Sequence, residues 1–270
     1  DLLFIGCFKN DKDLVDGLDS NLIKSLEKAI KIDNFDGSKG KKILVYGSES
    51  VKRIIYYGLG DKNQISPDEL RAEGANMFKL TNDMGINRFC IELDTFIDDN
   101  ETAQALLEGF YIGSYHYKSH QTTPKKEKKK SKSIDIVSKK LKDIIDVNLK
   151  AEALSQGVSL ARDLGNEPAN VCTPTFLSKV ALNIGKSRNM SCKTYDVKDF
   201  EKMNLGSFYG VAKGAKEPAK MIIAKYSGGK KNQDPIALIG KGLTFDTGGI
   251  SLKPPAKMDE MKFDMCGGAA

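Results

Sequence analysis

The 270-residue sequence lacks the features that mark several common classes of protein. Its apolar runs all fall well short of the roughly 20 residues that a membrane-spanning helix needs, so we predict no membrane span. The five cysteines are odd in number and include no Cys-x-x-Cys pair. This usage favours a reducing, cytoplasmic compartment over a disulfide framework.

Histidine is scarce, and its positions exclude one kind of metal site. His116 and His120 are four residues apart, but no glutamate follows His116, so there is no His-Glu-x-x-His zinc motif. We interpret both as surface or interdomain residues. A Gly-x-Ser-x-Gly turn is also missing, and Gly248-Gly249 lacks the Gly-Lys-Ser/Thr ending of a phosphate-binding loop. Any catalytic chemistry must therefore come from other residues.

Positive charge is concentrated in one stretch. Ten lysines and three acidic residues lie between Lys118 and Asp143, so this stretch is more positive than the whole chain, whose net charge is +6. The run Lys125–Lys132 resembles a nucleic-acid or nuclear-targeting patch, but aromatic residues do not interleave with it. We predict a solvated linker or exposed loop and expect no nucleic-acid partner.

Alternating strand and helix patterns predict an α/β fold with a largely parallel sheet in the first half. With 270 residues and 40% hydrophobic content, the chain is long enough for two domains. The predicted strands are Asp1–Phe8, Lys42–Tyr46, Arg53–Tyr57, Asn87–Leu93, Ser191–Val197 and Met221–Tyr226. The predicted helices are Ser20–Ile32, Pro67–Met84, Glu101–Tyr115, Lys139–Gly165 and Thr175–Lys186.

The segment 235–264 carries the most informative pattern. Pro235–Gly240 is a continuous apolar run bounded by proline and glycine, which is typical of a strand buried on both faces. A Gly-rich loop follows, with two lysines and two aspartates: Lys241, Asp246, Lys253 and Asp264. Residues just beyond such a strand lie where open sheets build their sites.

These four side chains suit a divalent cation. Carboxylate oxygens are ligands for Zn²⁺, Mn²⁺ or Mg²⁺. A lysine can join them only as the neutral amine, after burial and an adjacent cation have lowered its pKa. On this reasoning, either Lys241 or Lys253 is a ligand and the other is a charged group directed at a developing oxyanion. Taken singly, each aspartate could instead be a cap or turn residue.

Together the four positions resemble the signature of the M17 leucyl aminopeptidase family. The stretch 161–174, with Asn166, Pro168 and Asn170 before Thr173-Pro174, is similar to the segment that enters the family's catalytic domain. The stretch 208–218 and the strand after it are similar to the family's next elements. The likeness is strong from residue 160 to 270 and rests more on element order before that.

The resemblance implies roles for individual residues. Lys241, Asp246 and Asp264 would be ligands of the tightly held metal, and Asp246 would also bridge to a second, more exchangeable one. Lys253 matches the catalytic lysine that stabilises the oxyanion. With Lys241 and Asp246, it would also contact substrate.

Two further residues are candidate substrate contacts. Ser251 is close enough to the loop to reach substrate, and Met261 matches a residue that lines the pocket for the first side chain. A methionine that serves only to pack the fold is the alternative for Met261.

The resemblance also implies an architecture. We expect a macro-like N-terminal α/β domain (1–135), a helical linker (136–165) and an α/β aminopeptidase catalytic domain (166–270) that is incomplete. The family's Asn-Thr-Asp-Ala-Glu-Gly-Arg segment, which supplies further ligands and the arginine that holds a bicarbonate, does not occur in the sequence. We therefore expect a fragment that is inactive alone.

For the intact protein, the resemblance implies a cytoplasmic, two-metal aminopeptidase. It would use Zn²⁺ or Mn²⁺ with bicarbonate and release N-terminal residues, leucine among those preferred, from peptide substrates. The family assembles as a hexamer, so a homo-oligomer is expected. A DNA-binding role or a non-catalytic assembly subunit of the same family are the alternatives.

Overall fold

A computed structural model describes residues 1–10, 18, 20–47, 51–96, 99–117, 119–120, 132–230 and 232–270. The chain divides into two compact units, Asp1–Gln156 and Gly157–Ala270. The predicted boundaries at 135/136 and 165/166 stay predictions. Among the described residues, no helix is both long and apolar enough to cross a membrane.

The first unit is a five-stranded sheet with helices on both faces. Its elements are β1 (Leu2–Phe8), α1 (Ser20–Ile32), β2 (Lys42–Tyr46), β3 (Arg53–Gly60), α2 (Pro67–Asp83), β4 (Arg88–Glu92), α3 (Asn100–Gly113) and β5 (Ser133–Val137). The strand order is β2-β3-β1-β4-β5. β1 pairs in parallel with β3 and β4, β4 pairs in parallel with β5, and β2 runs antiparallel at the edge. The predicted α/β class is confirmed.

Alternating side chains of the central strands supply two cores. Phe4 and Tyr57 point to the face covered by α2 and α3, whereas Ile5 and Tyr56 point to the face covered by α1. Ser66 starts α2 with a capping box to Glu69 and with proline at the first helical position. The sequence signals that predicted this helix therefore act as expected.

The lysine-rich run Lys125–Lys132, predicted to be a solvated linker or exposed loop, lies outside the described residues except for Lys132. β5 follows directly, and its Ile134 and Ile136 pack against the core. Lys132 is also anchored: its Nζ donates to the Ile86 carbonyl at 2.5 Å and to Thr81 Oγ1 at 3.0 Å. The lysines around β5 obscure a two-residue alternation that is typical of an edge strand.

The helix α4 (Ile144–Asn166) contains the division between the two units, and the second unit continues with shorter elements. They are α5 (Pro174–Ser187), β6 (Ser191–Tyr195), α6 (Val197–Lys202), α7 (Gly206–Ala212), β7 (Met221–Lys225) and α8 (Cys266–Ala269). β6 and β7 form an antiparallel pair. A small apolar cluster centres on Leu164, Cys172 and Met265.

The prediction of a buried strand at Pro235–Gly240 is wrong for this structure. The segment has no regular secondary structure, and the side chains of Ile236, Leu238 and Ile239 are 86%, 94% and 97% exposed. A strand buried on both faces needs neighbours at its edges and cover on its faces. Within the described part of the second unit, β6 and β7 pair only with each other, so the run has no strand partner.

Candidate metal centre

The loop after Gly240 is folded back on itself by Asp246. One carboxylate oxygen, Oδ1, accepts the Gly248 amide at 2.9 Å, and the other, Oδ2, lies 2.9 Å from Lys253 Nζ. The Lys253 amide donates to the Thr247 carbonyl at 2.9 Å, which closes the turn. Gly248 has φ of +92°, and a Cβ there would lie 2.4 Å from the Ser251 carbonyl oxygen. Only glycine fits this position without rearrangement.

The second pair consists of Lys241 and Asp264. Lys241 Nζ lies 2.7 Å from Asp264 Oδ1. Asp264 belongs to a 3₁₀ segment, Met258–Met265, that leads into α8. Its other oxygen, Oδ2, is buried and has no hydrogen-bond partner among the residues that the structure describes. A buried carboxylate oxygen without a donor is costly and is an open ligand position for a cation.

A backbone contact holds the two segments together. The Gly268 amide donates to the Lys241 carbonyl at 2.7 Å. A Cβ on Gly240 would lie 2.2 Å from the Gly267 carbonyl oxygen, so the two backbone segments are closer than a side chain at this position would allow. We call this contact of Gly240 and Lys241 with Gly267 and Gly268 the glycine clasp. It fixes the positions of Lys241 and Asp264 relative to each other.

The two pairs influence each other electrostatically. The hydrogen bond with Asp264 raises the pKa of Lys241, and the charge of Asp246 acts in the same direction. The hydrogen bond from Lys253 lowers the pKa of Asp246, as do the Gly248 amide and the charge of Lys241. The four charged side chains therefore form one cluster of two cations and two anions.

The cluster fits a divalent cation, although it is small. Two carboxylates supply hard oxygen ligands, and one of these oxygens, Asp264 Oδ2, has no hydrogen-bond partner among the described residues. Lys241 is a cation in this arrangement, so it can become a ligand only by losing its proton. In the described part of the chain, no group of three or more His, Cys, Asp or Glu side chains is placed to hold a metal.

The remaining sequence candidates lie near Lys253. Met261 is half-buried, and its Sδ is 3.0 Å from Lys253 Nζ. Ser251 is exposed, and its carbonyl oxygen is the atom that a Cβ on Gly248 would approach to 2.4 Å. Sequence reasoning missed the glycine clasp and the contact between Lys253 and Met261. The Gly267-Gly268 pair was a visible signal for the clasp, because adjacent glycines often mark a close backbone approach.

The sequence matches two family models. Residues 159–270 match the catalytic domain of the cytosol aminopeptidase family, and residues 4–124 match the N-terminal domain of the same family. A protein of Alkaliphilus oremlandii, described as "Probable cytosol aminopeptidase", is 34% identical over 100% of this chain and 56% of its own length. One of Pseudomonas syringae pv. syringae with the same description is 35% identical over 89% of this chain and 50% of its own.

Solved structures give the same result for the fold. A mutant of tomato leucine aminopeptidase matches with a TM-score of 0.79 and 27% identity, covering 100% of this chain and 54% of that one. The bottromycin maturation enzyme BotP, solved in complex with Mn, matches with a TM-score of 0.77 and 22% identity over the same shares. The chain thus spans about half the length of the curated relatives it matches.

Proposed function

The chain belongs to the cytosol aminopeptidase family, and we propose that it carries part of the active site of a metal-dependent aminopeptidase. The intact enzyme would release N-terminal residues, leucine among them, from peptides. What carries this proposal is the convergence of four family-matched side chains, Lys241 with Asp264 at 2.7 Å and Lys253 with Asp246 at 2.9 Å.

In the proposed enzyme, Lys241, Asp246 and Asp264 would hold a tightly bound cation, and Asp246 would also be a ligand of a second one. The cations would be Zn²⁺ or Mn²⁺. When bound, such cations act as Lewis acids that polarise a peptide carbonyl and help to ionise water. As a ligand Lys241 would be the neutral amine, its proton released to solvent, and Asp264 would offer the oxygen that has no hydrogen-bond donor among the described residues.

Lys253 would have a different role, as a hydrogen-bond donor rather than a ligand. Its ammonium would donate to the oxyanion that develops on the carbonyl of the N-terminal residue. The closed turn from Asp246 to Lys253 brings the lysine back to the Asp246 carboxylate, which supports this role. Ser251 and Met261 would contact substrate.

The proposal extends to the intact protein as a whole. It would work as a hexamer in the cytoplasm, use a bicarbonate as base with ligands from outside these 270 residues, and have no nucleic-acid partner. The 270-residue chain alone would not hydrolyse leucyl amide substrates.

Metal binding by the 270-residue chain tests the ligand assignment. Titration with Mn²⁺, followed by electron paramagnetic resonance of the free ion, should show binding that Asp264→Asn and Lys241→Arg each weaken at least about tenfold, because an amide is a poorer ligand and guanidinium has no free lone pair. Lys253→Ala is the matched control and should bind Mn²⁺ as the unmodified chain does. Equal binding by all four proteins, or none, would remove the proposed site.

In the full-length enzyme, Lys253→Ala should retain both metals while kcat falls by about 10²- to 10³-fold, the scale of losing one oxyanion donor. Loss of metal together with activity would make Lys253 a ligand instead. An unchanged kcat would exclude it from the mechanism.

A further inference from the structure

The ammonium of Lys253 has two neighbours of different chemistry. Asp246 Oδ2 lies 2.9 Å from Nζ and Met261 Sδ lies 3.0 Å from it. An ammonium has three donors, and a thioether is a weak acceptor. The carboxylate is the stronger hydrogen-bond acceptor of the two as long as it binds no cation.

The proposed function changes that balance, and the inference rests on it. If Asp246 holds cations, its charge is shared with them and its attraction for Lys253 falls. The backbone of Lys253 remains fixed, because its amide donates to the Thr247 carbonyl. The ammonium lies at the end of a flexible four-carbon side chain. Of its two neighbours, Met261 is the one that the cations would leave free to hold it.

We propose that Met261 is a positioning residue for Lys253, which uses its sulfur as an acceptor to hold the ammonium in place. Met261 is suited to this role by its position. It lies in the same 3₁₀ segment as Asp264, three residues earlier, so the tip of Lys253 is tied to the segment that carries the second carboxylate. The sulfur thereby links the oxyanion donor to the ligand set.

This role can be tested apart from that of a residue that only lines the substrate pocket. Leucine keeps the apolar volume of methionine but has no acceptor. Glutamine keeps the unbranched length and supplies a carbonyl oxygen. A pocket-lining residue should tolerate leucine better than glutamine, whereas a positioning residue should tolerate glutamine better than leucine.

The reactivity of Lys253 in the 270-residue chain provides the test. We would treat the chain briefly with formaldehyde and cyanoborohydride and measure methylation of Lys253 relative to Lys257 by peptide mass spectrometry. Lys257 is the internal reference, since its side chain is 79% exposed. Neither metal nor turnover is needed, so this result is independent of the metal-binding test.

Met261→Leu should raise the ratio of Lys253 to Lys257 methylation by about threefold, the scale of one lost weak hydrogen bond. Met261→Gln should leave the ratio unchanged. Met258→Leu, a methionine change in the same 3₁₀ segment, is the matched control and should also have no effect. Met261→Ala removes the acceptor by truncation and should agree with leucine, which guards against an effect peculiar to one variant.

Equal ratios in the unmodified, leucine and alanine proteins would overturn the proposal. So would a raised ratio in the glutamine variant alone, because Met261 would then act by apolar packing. In the full-length enzyme, the same ranking should appear in kcat for leucyl and alanyl amides alike. A change confined to KM for leucyl substrates would instead assign Met261 to the pocket.

Discussion

The two units of the chain use apolar residues differently. In the first, alternate side chains of one sheet feed cores on both faces, and large residues such as Phe4, Tyr56 and Phe89 are almost fully buried. In the second, the buried apolar cluster centres on three residues, and Ile236 and Leu238 are almost fully exposed. The candidate site lies in this second unit and is held by ion pairs, turn hydrogen bonds and the glycine clasp. Burial stabilises the first unit, whereas polar and backbone contacts organise the functional loop.

The largest loss of stability that we expect comes from a substitution in the core of the first unit. Phe89 is 1% exposed and packs edge-on against Phe4, with ring centroids 6.2 Å apart. Phe89→Ala should lower the free energy of unfolding by about 3–5 kcal/mol, because a large buried ring leaves a cavity. Urea unfolding followed by circular dichroism would measure it. Phe208→Ala, at a ring of the second unit that is 43% exposed, should cost clearly less. Equal losses of unfolding free energy in the two variants would show that burial does not stabilise the first unit more than the second.

The glycine clasp should give the next largest effect. Gly240→Ala places a methyl group 2.2 Å from the Gly267 carbonyl oxygen, whereas Gly242→Ala meets no atom within 4 Å. The first change should destabilise the clasp by about 1–3 kcal/mol, as overpacking does. Hydrogen exchange at the Gly268 amide, which donates to Lys241, would report it. Equal exchange rates in the two variants would show that the clasp is not tight.

One cysteine in each unit allows the two units to be compared with the same alkylating reagent. Burial raises the pKa of Cys90 in the first unit and of Cys172 in the second to about 11 each. Because the thiolate reacts, alkylation of both by iodoacetamide should rise about tenfold per pH unit below that value. Cys172 is buried and Cys90 only partly so, so Cys172 can match the rate of Cys90 only if its surroundings open more readily. We expect Cys172 to react at least as fast as Cys90 at pH 8, as measured by mass spectrometry. A faster reaction at Cys90 would reverse the comparison.

The smallest effect should come from the exposed run. Leu238 is 94% exposed, so Leu238→Ser removes little buried surface. The free energy of unfolding should change by no more than about 0.5 kcal/mol, the range of most surface substitutions. The same urea experiment applies. A loss above about 1.5 kcal/mol would mean that the run is buried in solution and that the contrast between the units is overstated.

Local patterns predicted most of the fold, and the errors have one local and one non-local cause. Strand patterns and the capping box at Ser66 were sufficient for β1 to β4 and for α2, because these signals lie within a few residues. β5 was missed because dense lysines hide the alternation of Ile134 and Ile136. The run at Pro235–Gly240 was predicted to be buried, but burial depends on partners that a pattern does not contain.

The candidate site was predictable in part for the same reason. Asp246 and Lys253 are seven residues apart on one glycine turn, so their spacing already implies proximity. Lys241 and Asp264 are farther apart in sequence, and their meeting depends on the glycine clasp. The contact between Lys253 and Met261 follows from side-chain directions, which sequence spacing does not specify.

The exposed run between Pro235 and Gly240 also bears on how the chain behaves in concentrated solution. Short, uncharged, β-prone apolar segments are the ones that stack between molecules into cross-β assemblies. Here Asp234 and Pro235 stand before the run and Gly240 and Lys241 after it. Charge and proline at the borders of such a segment act as gatekeepers against stacking. Replacing these four flanking residues should therefore make the isolated chain more prone to aggregate.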